Sequence, residues 1–213
     1  MAPTEFSPDH RASLEWARTV VAALKIIGLP AAILARSGRP LAFNSRLEQL
    51  MPEIASSHRK RLKLADAAAD GLLIESMAQL ARTGNAGGIR AIPVPAAEGR
   101  PPVIVRIISA HAAPRELPAD IGAILIAIPV VARKGPGADL LQALFNLTPA
   151  EARVAQAIAQ RQTTGAIAAD LGLSPETVRS QMKAALAKCG AARNIDLAAM
   201  LAGAVLLGDP GAG

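Results

Sequence analysis

The sequence predicts an α+β chain in two parts. An antiparallel sheet with helices occupies residues 28–132, and an all-α four-helix domain occupies 146–208. Three observations carry this. Short apolar runs bounded by Gly, Pro and Ser punctuate residues 29–130 and read as strands. After residue 146 the apolar positions recur three and four apart, and each run is opened by a capping residue. Between the two, Gly135-Pro136-Gly137 breaks helix and strand alike, so residues 133–145 read as a linker.

Composition narrows the class. The 213 residues are 51% hydrophobic but only 2% aromatic, so any core is aliphatic. A single cysteine excludes a disulfide framework and fits a reducing cytosol. The N-terminus lacks a signal-peptide pattern. The longest apolar runs, near Ile121–Ala132 and Leu197–Gly208, are about a dozen residues, and a bilayer needs about 20. The expected location is therefore the cytoplasm, with no membrane partner. The net charge is +6, yet residues 135–213 hold six Lys/Arg and six Asp/Glu, so the whole excess lies in 1–134.

Residues 1–27 read as an N-terminal helix, opened by Ser7-Pro8 as cap and first helical position. Leu14, Ala17, Val21 and Leu24 form its apolar stripe, compatible with packing on its own domain or with a two-stranded dimer seam. Strands are expected at 29–35 and 40–43 around the turn Arg36-Ser37-Gly38-Arg39, followed by Asn44 and a helical stretch through SRLEQLMPEI. A helix at 65–83 and strands at 88–93, 102–109 and 121–130 complete the part. The basic run Arg59-Lys60-Arg61 with Lys63 reads as a solvated face or as a second contact with DNA or a partner. Asp139–Phe145 reads as a short connecting helix.

The last third is the most informative. Thr148-Pro149-Ala150-Glu151 carries a capping box with proline at the first helical position. Thr163 can cap a second, short helix facing inward through Ile167, Ala168 and Leu171, and Gly172 supplies a tight turn. Ser174-Pro175 opens a third helix, 175–188. It is apolar at Val178, Met182, Ala185 and Cys189, and carries Glu176, Arg179, Ser180, Lys183 and Ala187 on the other face. Two cations one turn apart on the outer face of the second helix of a helix-turn-helix suit insertion into a DNA major groove.

These residues resemble the C-terminal domain of LuxR/FixJ (NarL)-type bacterial transcription regulators. The matching positions are Leu147-Thr148-Pro149, Glu151, Val154, Ile167-Ala168, Leu171-Gly172, Ser174-Pro175, Thr177-Val178-Arg179, Lys188 and Gly190. Departures are Ala150 for the usual arginine, Arg161 for a glycine, Gly165 and Ala166 for lysine and glutamate, Gln181 for histidine, and Cys189 for leucine. The hairpin, asparagine, helices and three later strands resemble a PAS sensor domain over roughly 20–130, which implies a sensory or dimerisation role with a small-molecule or protein ligand.

The LuxR resemblance implies double-stranded DNA as partner and a homodimer on an inverted repeat. By analogy, Arg179, Ser180 and Lys183 meet base edges, while Thr163, Thr164, Thr177, Gln181 and Lys188 hold phosphates. The fourth helix, with Leu197, Met200, Leu201 and Val205, would form the dimer contact; on the residues alone it packs on the other three, and the stripe is wide enough for both. The competing reading is a protein-interaction module, an anti-activator or sigma-factor partner, which the neutral charge of 135–213 favours.

No enzyme, metal or cofactor is expected. His10, His58 and His111 are widely separated, no phosphate loop or nucleophile elbow is present, and Cys189 falls on an apolar helix face, as a packing residue does. With one tryptophan and no tyrosine, the chain lacks the pocket residues of the acyl-homoserine-lactone sensors of that family.

Overall fold

The computed structural model describes residues 8–57, 61–83, 89–110, 117–131 and 135–204. They form two compact units, one running to Val131 and the other lying within 132–207. No helix among the described residues is long and apolar enough to cross a membrane.

The first unit runs α1 (Pro8–Ile26), β1 (Ala31–Ala35), β2 (Pro40–Phe43), α2 (Ser45–Leu50), α3 (Ala67–Thr83), β3 (Ile89–Val94), β4 (Val103–Ser109) and β5 (Ile121–Pro129). Its five strands form one antiparallel sheet in the order β2-β1-β5-β4-β3. This is the antiparallel sheet with helices that the sequence predicts. Alternation divides the side chains between two faces. Ala32, Leu34, Val105, Ile107, Leu125 and Ala127 point to one core, which α2 and α3 close through Leu47, Leu73 and Leu80. Ile33 and Ala35 point to the other face, where Ala17 and Val21 of α1 pack with Leu41. β1 is therefore covered on both sides, which is why all five of its residues are small or aliphatic and buried. The α1 stripe thus serves its own domain.

Three local features hold the sheet in register. A Cβ at Gly122 would lie 2.7 Å from the backbone N and Cα of Arg36, at the bulge where the β1–β5 pairing shifts, so this close approach admits only glycine. Asn44 is the N-cap of α2 and is buried. Its Oδ1 accepts from the Ala31 and Leu47 amides at 3.2 and 3.1 Å, and its Nδ2 donates to the carbonyls of Val21 and Leu29 at 3.2 and 2.9 Å. One side chain thereby joins α1, β1 and α2. Arg61 makes a two-pronged pair with Asp70, at 2.7 and 2.6 Å, and Asp70 also accepts from the Leu64 amide at 3.0 Å.

Two expectations change. The helix expected through SRLEQLMPEI stops at Leu50 and resumes as a 3-10 turn, Pro52–Ser57. Pro52 lacks an N–H and excludes the α conformation at the residue before it, and Met51 accordingly sits at φ −138, ψ 75. Of the basic run, Arg61 is tied to Asp70 rather than presented as a free contact. Lys63 is exposed, while Arg59 and Lys60, with His58, lie outside the described residues.

The second unit holds α4 (Ala138–Phe145), α5 (Pro149–Ala159), α6 (Thr164–Leu171), α7 (Pro175–Cys189) and α8 (Asn194–Ala204). Their shared core contains Leu141, Val154, Ile158, Ile167, Val178, Ala185 and Cys189. The stretch expected as a connecting helix packs into this core through Leu141, while Leu140 and Leu144 face solvent.

The dimer contact expected on the last helix is corrected in part. Leu197 and Leu201 are fully buried in this core. Burying a leucine contributes about 1.5–3 kcal/mol, so neither is available to a partner. Met200 and Ile195 remain exposed, and Val205 lies outside the described residues.

Candidate nucleic-acid interface

The helix-turn-helix is built by caps. At α5, Thr148 Oγ1 accepts from the Glu151 amide at 3.3 Å, and the Glu151 carboxylate accepts from the Thr148 amide at 2.7 Å. At α6, Thr163 Oγ1 accepts from the Ala166 amide at 3.2 Å. The chain then reverses through Gly172, at φ +64, where a left-handed backbone favours glycine, and the Leu173 amide bonds the Ala168 carbonyl at 2.9 Å. At α7, Ser174 Oγ accepts from the Thr177 amide at 3.0 Å and lies 2.8 Å from Thr177 Oγ1. Pro175 follows at the first helical position.

Burial then orients α7. Val178 and Ala185 are fully buried and Cys189 nearly so, which turns Arg179, Ser180 and Lys183 outward together. Arg179 Nη1 pairs with Glu176 Oε2 one turn earlier at 2.8 Å, with the two side chains 60% and 85% exposed. An exposed pair of this kind contributes little and is readily exchanged for another anion. Lys183 makes no ion pair among the described residues.

The residues expected at phosphates separate. Thr163 is exposed and Thr164 half-buried at the start of α6. Thr177 is exposed at the start of α7, its hydroxyl shared with the cap serine. Gln181 is half-buried, and its Oε1 is buried without a hydrogen-bond partner. Lys188 Nζ binds Glu151 Oε2 at 2.7 Å, joining the last turn of α7 to the first turn of α5. The ammonium beside it holds the Glu151 carboxyl below the usual carboxylate range, helped by the Thr148 amide. Burial, with the negative Glu151 nearby, pushes the Cys189 thiol up, away from the thiolate form that a redox sensor needs.

Arg161 drew attention in the sequence only as an unusual residue at a family glycine. It is exposed, follows α5, and adopts φ +62, in the left-handed region. Among the described residues no group of three metal-ligating side chains occurs.

Residues 146–201 match the profile of the family described as "Bacterial regulatory proteins, luxR family". This segment is a luxR-family domain. The match begins at Asn146, before the capping box, and ends within α8 at Leu201, so it takes in the helices carrying Arg179, Ser180 and Lys183. No curated protein matches the chain by sequence. Among solved structures, the chain is similar to VqmA from Vibrio cholerae, described as a dimer in a study of LuxR-type receptors, at 13% identity over 84% of each chain with a TM-score of 0.37. It is also similar to a phage VqmA in complex with DPO, at 18% identity over 89% of this chain and 88% of the other, with a TM-score of 0.36.

The first unit carries a separate cavity of about 230 Å³ between the β1–β2 turn and α3, lined by Leu34, Arg36, Arg61, Leu73 and Met77.

Proposed function

We propose that this protein is a DNA-binding transcription regulator whose luxR-family domain inserts α7 into the major groove of an inverted repeat. The observation that carries the reading is the outward face of α7: Arg179, Ser180 and Lys183 are exposed together on a helix fixed at both ends by caps. On this reading Arg179 leaves Glu176 for a guanine edge, a two-pronged contact worth about 1–3 kcal/mol of discrimination. Ser180 and Lys183 reach the neighbouring bases. Thr163, Thr164 and Thr177 lie where the starts of α6 and α7 favour phosphate, and Gln181 supplies a further phosphate contact. Lys188, held by Glu151, supports the fold instead.

The regulator acts as a cytoplasmic homodimer and carries out no catalysis. Its PAS-like domain senses a small molecule, for which the surface pocket of about 230 Å³ between the β1–β2 turn and α3 is a candidate site.

The test is selection of genomic fragments by the purified protein at two salt concentrations, beside Arg179→Ala and Lys183→Ala. A shared inverted repeat, enriched by the wild type and lost with both variants, supports the reading. Absence of any enrichment, with the variants indistinguishable from wild type, sinks it. The second reading, a protein-interaction module, is favoured by the balanced charge of residues 135–213. It predicts no salt-dependent DNA binding by the wild type.

A further inference from the structure

Three helices of the luxR-family domain stop in the same way. At the end of α6 the Gly172 amide bonds the Ala169 carbonyl at 3.4 Å and the Leu173 amide bonds the Ala168 carbonyl at 2.9 Å. At the end of α7 the Gly190 amide bonds the Ala187 carbonyl at 3.3 Å and the Ala191 amide bonds the Leu186 carbonyl at 3.0 Å. At the end of α5 the Arg161 amide bonds the Ile158 carbonyl at 2.9 Å and the Gln162 amide bonds the Ala157 carbonyl at 3.1 Å. The spacing is the same each time and is built around a left-handed residue, at φ +64, +70 and +62. Glycine takes that position with no steric penalty, and the chain uses it twice. At α5 it uses arginine. Among the described residues only Asn146 and Arg161 replace glycine at positive φ, and asparagine tolerates the region.

The described contacts do not offset this choice. Arg161 is exposed, and its side chain makes no ion pair among the described residues. Asp170, the only acid between Glu151 and Glu176, accepts from Gln162 at 2.9 Å instead. A cation does gain from the carbonyls at a helix end. Gln160, exposed at φ −80, could carry that charge one residue earlier without strain. A strained backbone kept at an exposed, unpaired side chain points to a function for that side chain.

Its place in the domain names the function. Arg161 stands two residues before Thr163, the cap of α6, so their Cα atoms are no more than about 7 Å apart. Between Arg153 and Arg179 it is the only lysine or arginine. α6 itself carries no cation, and Gly165 and Ala166 in its first turn are exposed. We propose that Arg161 is a phosphate contact, its guanidinium holding the DNA backbone beside the start of α6 while α7 lies in the major groove. The inference rests on the DNA-binding reading and adds a residue that fixes register without reading sequence. A guanidinium can meet phosphate through two parallel N–H groups. Glycine would end α5 with less strain, but this edge of the domain would then hold no positive charge.

Duplex binding by the full chain across a salt series tests it, comparing wild type, Arg161→Gly and Arg161→Lys on the preferred duplex and on an unrelated one of equal length. Arg161→Gly is expected to weaken both by a similar factor, about fivefold or more at low salt. The slope of log affinity against log salt should become shallower by about 0.9 for each copy bound, while hydrogen-exchange protection of the domain does not fall. Arg161→Lys should keep the slope. An unchanged slope in Arg161→Gly, with the wild type binding, overturns the contact and leaves the DNA-binding reading standing. A fall in protection with that unchanged slope overturns it too, and assigns Arg161 to the end of α5 alone. A slope lost equally in Arg161→Lys overturns the charge as its cause. A wild type that binds no duplex at any salt removes the DNA-binding reading and this inference with it.

Discussion

Arg161 offers a sharp test of the local reasoning. It sits at φ +62 just past Gln160, the C-cap of α5, in a backbone conformation that a side chain with a Cβ adopts at a cost of about 1–2 kcal/mol. Replacement by glycine removes that cost. The gain is offset by about 0.5–1 kcal/mol, because the unfolded chain becomes freer at that position. Arg161→Gly is therefore expected to stabilise the luxR-family domain by about 0.5–1 kcal/mol. Asparagine, which tolerates the same region, should gain less but in the same direction. The readout has to come from the right unit. The sole tryptophan, Trp16, lies on α1 in the other one, so fluorescence is silent on this change. Native-state hydrogen exchange of the α5–α7 amides serves instead, and protection in the slowest class should rise about two- to fivefold. Unchanged or reduced protection in Arg161→Gly would refute the strain argument and mean that the guanidinium makes a stabilising contact that outweighs its backbone.

Four further outcomes follow from the geometry. Lys183→Met should weaken binding to the preferred repeat more than to other duplexes and leave stability alone, since Lys183 is exposed and makes no ion pair among the described residues. Lys188→Met should instead loosen α7 from α5 in hydrogen exchange while that preference holds. Asn44→Ala removes an N-cap and strands the buried groups it satisfied, for a loss of about 3 kcal/mol read by Trp16 fluorescence in urea. Asp70 is held below the usual carboxylate range, first by the Arg61 hydrogen bonds and then by the Leu64 amide, against the opposing effect of burial. Its contribution is present above the ordinary carboxylate value of about 3.9 and disappears as pH falls through the lower folded value. Urea titrations from pH 6 down to pH 2 should show that acid loss shrink in Arg61→Met.

What could be read in advance, and what could not, divides by range. Strand and cap positions depend on neighbours within a few residues, so Thr148, Thr163 and Ser174 are legible as caps, and all three accept the expected amide. The break at Pro52 is equally local, since a proline cannot continue a helix whatever residues surround it. Periodicity says that a face is covered, never by what. The Leu197–Leu201 stripe is the same whether α5 or a second subunit lies on it, and only the fold assigns it inward. The pairing of Lys188 with Glu151 spans 37 residues and has no sequence signature at all. The strain at Arg161 was visible only as a departure from a family glycine.

The balanced charge of residues 135–213 weighs less against DNA binding than it first suggests, because the structure distributes it unevenly. Glu151 is committed to Lys188 and Thr148, and Asp196 to Arg193. Asp170 accepts from Gln162 at the far end of α6 from its cap. These acids are occupied within the domain and oppose a ligand only through space, where salt screens them beyond about 10 Å. On the outward face of α7 the count is different: Arg179, Lys183 and one glutamate, and that glutamate already lies alongside Arg179 in an exposed pair. On the proposed reading a phosphate or a guanine edge would compete with Glu176 for the guanidinium, and Glu176 would then limit affinity. Glu176→Gln should raise affinity for any duplex, most strongly at low salt, while leaving the preferred sequence unchanged. A change of preferred sequence instead would mean that Glu176 itself reads a base, as a carboxylate accepting from cytosine N4 does.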